Sequence, residues 1–175
     1  LTQCEVELAV IERDTSVLKN IVQKFPRIPY ADAVKMIKGE LDVNGKNSIK
    51  TLEEDLAKVS ARINEINAEI IDRETKIATP GLKKGEVNFN VNKISELRDE
   101  LRDCEEDARN IPQWLDSARN FHYGDDFGGS DETVLTRLFE TPIMVYNWPH
   151  EVKAFYLKRA DDTRFAKGVD VLAPE

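Results

Sequence analysis

The chain has 175 residues, 41% of them hydrophobic, 33% charged, with a formal net charge of −8. That length holds one ordinary domain or two small ones, with enough apolar content for a core. So acidic a chain does not carry the basic footprint of a general nucleic-acid binder. Cys4 and Cys104 are far apart, and the histidines are His122 and His150 alone, so no zinc or disulfide framework is legible. No apolar run approaches the ~18 residues of a membrane span. The start, "LTQCEVELAV", lacks a signal-peptide layout and reads as the middle of a helix.

Residues 1–39 form a first block. "LTQCEVELAVIERD" puts Leu1, Cys4, Leu8 and Ile11 on one helical face. Asp14 then caps a short helix, "TSVLKNIV". Two prolines make "FPRIP" extended, and "YADAVKMI" is a helix that ends at Gly39.

Residues 40–118 differ in character. Ile49, Leu52, Leu56, Val59, Ile63, Ile66, Ile70 and Ile77 recur at steps of 3 and 4, with Arg73 in one skipped slot. Ser48, or Thr51 with Glu54 three residues on, is the expected cap. "TPGLKKGEVNFNVN" interrupts the pattern, with Val87, Phe89 and Val91 alternating as an extended stretch. A second seam follows: Ile94, Leu97, Leu101, Cys104, Ala108, Ile111. Asn92 is its expected cap and Pro112 its expected end. Each seam can bury the other's stripe, which predicts an antiparallel helical hairpin with arms of ~43 and ~27 Å at 1.5 Å per residue. Its net charge of −6 repels phosphate along the shaft, and only Lys83-Lys84 at the tip is locally basic. A self-contained insertion fits this best; an arm for a protein partner and a direct RNA contact are the alternatives.

Residues 119–175 form the third block. Ser130 is expected to cap a helix over "DETVLTRLF", and "PIMVY" reads as a buried strand. "EVKAFYLKR" and "RFAKGVDVL" flank the polar turn "ADDT" as a predicted antiparallel hairpin. Alternation then puts Ala166, Gly168, Asp170 and Leu172 on one face. Two small residues clear room beside an acid without a basic neighbour, which makes Asp170 a candidate for holding a cation or a ligand hydroxyl; an exposed strand acid facing water is the alternative. Trp148 and Phe155 read as core residues, and His150 as a turn residue.

"GDDFGGSDETVLTRLFETPIMVYNWPHEVKAFYLKR" followed by "VDVLAPE" resembles the catalytic domain of asparaginyl-tRNA synthetases, class II enzymes of the aspartate-like subgroup. "DTSVLKNIVQKFPRIPYADAVKMI" resembles the segment that precedes it in that family, with Pro29 where threonine is usual. The resemblance covers roughly residues 1–39 and 120–175, and 40–118 stands as an insertion between them. It implies an α+β fold: part of a class II antiparallel-sheet catalytic core, interrupted by the helical hairpin. The chain is then a piece from between the second and third signature motifs of a larger cytoplasmic enzyme, inactive alone because the ATP-gripping arginines lie outside it.

The implied reaction joins asparagine to the α-phosphate of ATP and then transfers it to its tRNA. The implied cofactors are ATP and Mg2+, and the implied parent is a homodimer. Asp170 matches an acid that serves ATP and metal, with Glu175 a weaker candidate. Lys153 and Tyr156 belong to the signature at the amino-acid pocket; strand alternation puts them on opposite faces, so one of them enters it, Tyr156 by preference, and Lys153 is otherwise a solvent-facing strand lysine. Glu132 would reach the substrate amino group, or else is an acid favoured at a helix start. An asparagine-synthetase-like paralogue that does not charge tRNA, and a coiled-coil interaction module, are the competing functions.

Overall fold

The computed structural model describes Lys24–Pro174. The predicted helices before residue 24, with Cys4 on one of them, and the candidate Glu175 lie outside the described residues. Two compact units divide the chain: one takes residues up to Lys50 together with those from Ser117 on, the other is Thr51–Asp116.

The first unit is a small α+β assembly. Strand β1 (Arg27–Pro29) leads into helix α1 (Tyr30–Ile37), then helix α2 begins at Ser48 and runs to Ala78. Helix α3 (Lys84–Asn120) returns, followed by helix α4 (Gly129–Thr136) and strands β2 (Ile143–Tyr146) and β3 (Val169–Leu172). The strands form one sheet in the order β1-β2-β3, with β1 parallel and β3 antiparallel to β2. The expected "FPRIP" extension is thus a strand of the sheet, and "YADAVKMI" is helical over its whole length. Gly39 ends it at φ 69°, where its N–H donates to the Met36 carbonyl at 3.1 Å. A side chain there would suffer the left-handed backbone and meet Ile49 at 2.9 Å, so only glycine fits.

Several predicted boundaries move. Asn47, not Ser48 or Thr51, caps α2: its Oδ1 accepts the Lys50 N–H at 3.2 Å. The buried Ser48 hydroxyl instead engages the Met36 and Ile37 carbonyls at 2.7 and 2.9 Å, satisfying the end of α1. These bonds tie residues 40–50 to the first unit. Gly128, not Ser130, caps α4, and its N–H donates to the Asp131 carboxylate at 2.9 Å. The other Asp131 oxygen takes the Ser117 hydroxyl at 2.7 Å, so this buried acid is satisfied.

The second unit carries the two long helices. The alternating "EVNFNV" is not extended, and Asn92 caps nothing, because α3 is already helical from Lys84. Pro112 does not end it either. A proline inside a helix costs ~3 kcal/mol or more, but the 3–4 periodicity continues past it through Leu115 and Ala118, both buried. The seam also extends backwards through Asn90 and Val87, half-buried in turn. The core of this unit is Ile66, Ile70, Ile94 and Leu97, flanked by Ile77, Leu101 and Cys104.

The skipped slot of the first seam finds its counterpart here. Arg73 donates to the Asn90 side chain at 3.0 Å and to Glu69 at 2.6 and 2.9 Å. The polar positions of the two seams therefore meet and satisfy each other, a device that fixes register. Arg62 reaches Glu100 with two bonds of 2.7 and 3.0 Å, and Arg98 reaches Glu74 at 2.9 Å. These pairs are exposed and contribute little beyond pairing the helices correctly.

Candidate functional site

The predicted hairpin of residues 151–172 is the main correction in the first unit. "EVKAFYLKR" is a series of turns, and β3 pairs with β2 instead. Asn147 adopts φ 56° and Pro149 lacks a donor, so the chain leaves the sheet after Tyr146. Only isolated bridges, Pro149 with Phe165 and Arg159 with Ala166, remain of the expected pairing. Ala166 and Gly168 consequently lie outside β3, and a Cβ on Gly168 would touch Leu157 at 3.4 Å. They do not clear a space along the strand.

Cross-strand partners share a face. Asp170 is opposite Val145, and Leu172 opposite Ile143, so the acid sits on the face that buries Ile143 and Val145. Helix α1 packs against β1, β2 and α4. Behind the acid is an aromatic cluster. The fully buried Trp148 lies 4.6 Å from Tyr30 and 4.7 Å from Phe127, centroid to centroid. Its indole N–H donates to the Val145 carbonyl at 3.2 Å. The Tyr30 hydroxyl donates to the Asp125 carbonyl at 2.7 Å and accepts the Gly124 N–H at 2.9 Å, where Gly124 turns at φ 105°. Sequence reasoning passed over Tyr30 entirely, although an aromatic opening a helix after "FPRIP" was visible.

Asp170 has a basic neighbour after all. The Lys153 ammonium is 2.8 Å from Asp170 Oδ2 and 2.8 Å from Asp126 Oδ1, and 3.5 Å from the centroid of the Trp148 ring. The lysine side chain is only 15% exposed. Burial pulls its charge down, but the hydrogen bonds to the two carboxylates outweigh this and leave its pKa above the ordinary lysine value. Of the two residues Lys153 and Tyr156, Lys153 is thus the enclosed one. Tyr156 is 76% exposed and Phe155 91% exposed, stacked edge-on with each other at 5.7 Å, and neither joins the cluster. Phe155 is accordingly not a core residue, whereas Trp148 is.

Glu132, in the first turn of α4, feels the same cluster. Partial burial, then Asp170, then Asp126 raise its pKa above the ordinary carboxyl value, with Lys153 opposing. A raised folded-state pKa contributes stability below the ordinary value near 4.5 and loses it as pH rises through the folded value. Relative to Glu132→Gln, the wild type should thus lose stability on going from about pH 4 to about pH 7. The difference in urea midpoints at those two pH values measures it; a difference independent of pH would contradict the coupling.

Gly129, Glu132, Thr133, Thr136, Val171, Leu172 and Ala173 line a recess of ≈ 180 Å³ beside the acids. That is below the roughly 300 Å³ of a small-molecule pocket. Among the described residues no group of three or more His, Cys, Asp or Glu side chains is placed to hold a metal ion. No described helix is long and apolar enough to cross a membrane.

No family model matches the sequence. Among curated proteins, the asparagine–tRNA ligase of Herpetosiphon aurantiacus is 30% identical over 176 residues, covering 100% of this chain and 25% of that protein. The asparagine–tRNA ligase of Sorangium cellulosum is 32% identical over 170 residues, covering 97% of this chain and 24% of that protein. By sequence, this chain is similar to asparagine–tRNA ligases over nearly its whole length. The chain spans about a quarter of the length of these relatives. Among solved structures, asparaginyl-tRNA synthetase from Pyrococcus horikoshii complexed with asparaginyl-adenylate has a TM-score of 0.49 at 22% identity, covering 98% of this chain and 22% of that one.

Proposed function

We propose that this chain is a segment of the class II catalytic core of an asparagine–tRNA ligase. Such an enzyme activates asparagine with ATP and passes it to its tRNA. The observation that carries this reading is the pair of matches to asparagine–tRNA ligases, each extending over nearly the whole chain. In the activation step a carboxylate of asparagine attacks the α-phosphate of ATP, forming the adenylate and releasing pyrophosphate. Little covalent work falls to protein groups; they orient the reactants and balance developing charge.

In this reading Asp170 faces the ligand, and Glu132 receives the amino group of asparagine from α4. Tyr156 belongs to the same pocket from an exposed turn, and Lys153 borders it through its bond to Asp170. Glu175 remains a candidate by resemblance. Magnesium would accompany the nucleotide, held by one or two carboxylates plus phosphate oxygens. The described residues do not by themselves fit such an ion, because Asp170 Oδ2 already takes the Lys153 ammonium. No step is therefore routed through it. A homodimeric, cytoplasmic parent enzyme and a protein partner for the helical hairpin belong to the same proposal.

Asp170→Asn tests the site in the full-length protein that contains this chain. The change keeps the shape and removes one charge. Asparagine-dependent pyrophosphate exchange should fall at least about tenfold, equivalent to ~1.4 kcal/mol of transition-state stabilisation, with the thermal transition nearly unmoved. Exchange at the wild-type rate would leave Asp170 as a surface ion-pair partner and remove it from the site.

A further inference from the structure

We infer that Lys153 is a positioning residue rather than a ligand contact: it ties the carboxylate of Asp170 to Asp126 across the face of Trp148. An ammonium group has three N–H donors and no acceptor. Two directions are taken by carboxylate oxygens at 2.8 Å each, and the indole ring lies 3.5 Å away on another side. A cation over an indole face is held by the ring's negative quadrupole. With its side chain 15% exposed, the lysine has no donor left to offer a substrate.

The anchors are themselves fixed. Trp148 is fully buried and hydrogen-bonded to Val145, between Tyr30 and Phe127. Asp126 follows a turn that Tyr30 holds at Gly124 and Asp125. Four separate stretches of chain, around residues 126, 148, 153 and 170, therefore converge on one ammonium. Both carboxylates keep an outward-facing side, Asp170 with a side chain 40% exposed and Asp126 with one 58% exposed, and of the two Asp170 is the one carried on the sheet. A carboxylate held in one geometry before a ligand arrives loses less freedom on binding. Asp126, which no sequence pattern singled out by itself, becomes the second anchor of the site. What Asp170 acts on rests on the function proposed above; the tether itself does not.

The tether is tested first in the 175-residue chain by NMR. The ε-methylene protons of Lys153, lying over the indole ring, should resonate upfield of those of other lysines. Asp126→Asn and Trp148→Phe should each shift them, and ordinary positions in the wild type would overturn the inference.

The role in the reaction is tested in the full-length protein by asparagine-dependent pyrophosphate exchange. Asp126→Asn should lower kcat by about fivefold to tenfold, with KM for asparagine nearly unchanged. Combined with Asp170→Asn it should add little further loss, because Asp126 acts through Asp170. A raised KM at unchanged kcat in Lys153→Met would make the lysine a substrate contact and overturn the inference; so would fully additive losses. If Asp170→Asn alone leaves exchange untouched, the proposed function of the site falls, while the NMR result still decides the tether.

Discussion

Trp148→Ala is expected to destabilise the unit that holds the sheet by ~3–5 kcal/mol, the range for emptying a fully buried aromatic site. Trp148 has no exposed surface and contacts Tyr30 and Phe127 through its ring. Its removal opens a cavity bounded by residues from α1, the turn before α4 and the end of β2. Collapse around that cavity is restricted, because Tyr30 is pinned through its hydroxyl to two backbone groups. The lysine above the ring would also lose its floor. Differential scanning calorimetry on wild type and variant checks this, since the Thr51–Asp116 unit supplies a separate reference in the same molecule. A loss below about 1 kcal/mol would mean the aromatic cluster is not the core it appears in the packing.

Ile66→Ala should cost ~2–4 kcal/mol in the helical unit, the usual range for a buried large-to-alanine change. Ile66 is fully buried and belongs to the core with Ile70, Ile94 and Leu97. Ile63, on the same seam, is only half-buried and is a weaker test. Ile71 is the internal control: it lies one residue off the seam and is 64% exposed, so Ile71→Ala should change stability by no more than about 0.5 kcal/mol. Urea unfolding followed by far-UV circular dichroism reads both, because α2 and α3, of 31 and 37 residues, dominate the helical signal. Equal effects of the two substitutions would show that the 3–4 periodicity does not define the buried face.

The heptad reading survived because periodic apolar residues at 3–4 spacing leave a helix one stripe to bury. The residue that broke the period in sequence, Arg73, turns out to have a partner: it meets Asn90, in the stretch expected to be extended, and only pairing of the helices reveals this. Pro112 misled for a related reason. A local propensity marks a break, but burial of Leu115 and Ala118 beyond it outweighs the missing hydrogen bond.

Strand pairing was harder to read. "EVKAFYLKR" and "RFAKGVDVL" both have strand-like patterns, and their proximity in sequence suggests a hairpin. Asn147 and Pro149 instead take the intervening chain out of the sheet, and β3 pairs with β2 in antiparallel register.

By itself, the sequence determined the helical character of residues 48–78, most of that of 84–120, the helix at Tyr30–Ile37 and the apolar strand at Ile143–Tyr146, and it offered Asp170 as a candidate. These follow from period, turn residues and motif, all of which act over a few neighbouring positions. Only the tertiary structure decided what stands beside that acid. Lys153 is 17 residues from Asp170 and 27 from Asp126. Nothing local distinguishes it from a solvent-facing lysine. Its charge becomes part of a site only when the sheet, the turn at Gly124 and the indole of Trp148 enclose it, because burial makes a lone ammonium costly and two carboxylates make it stable.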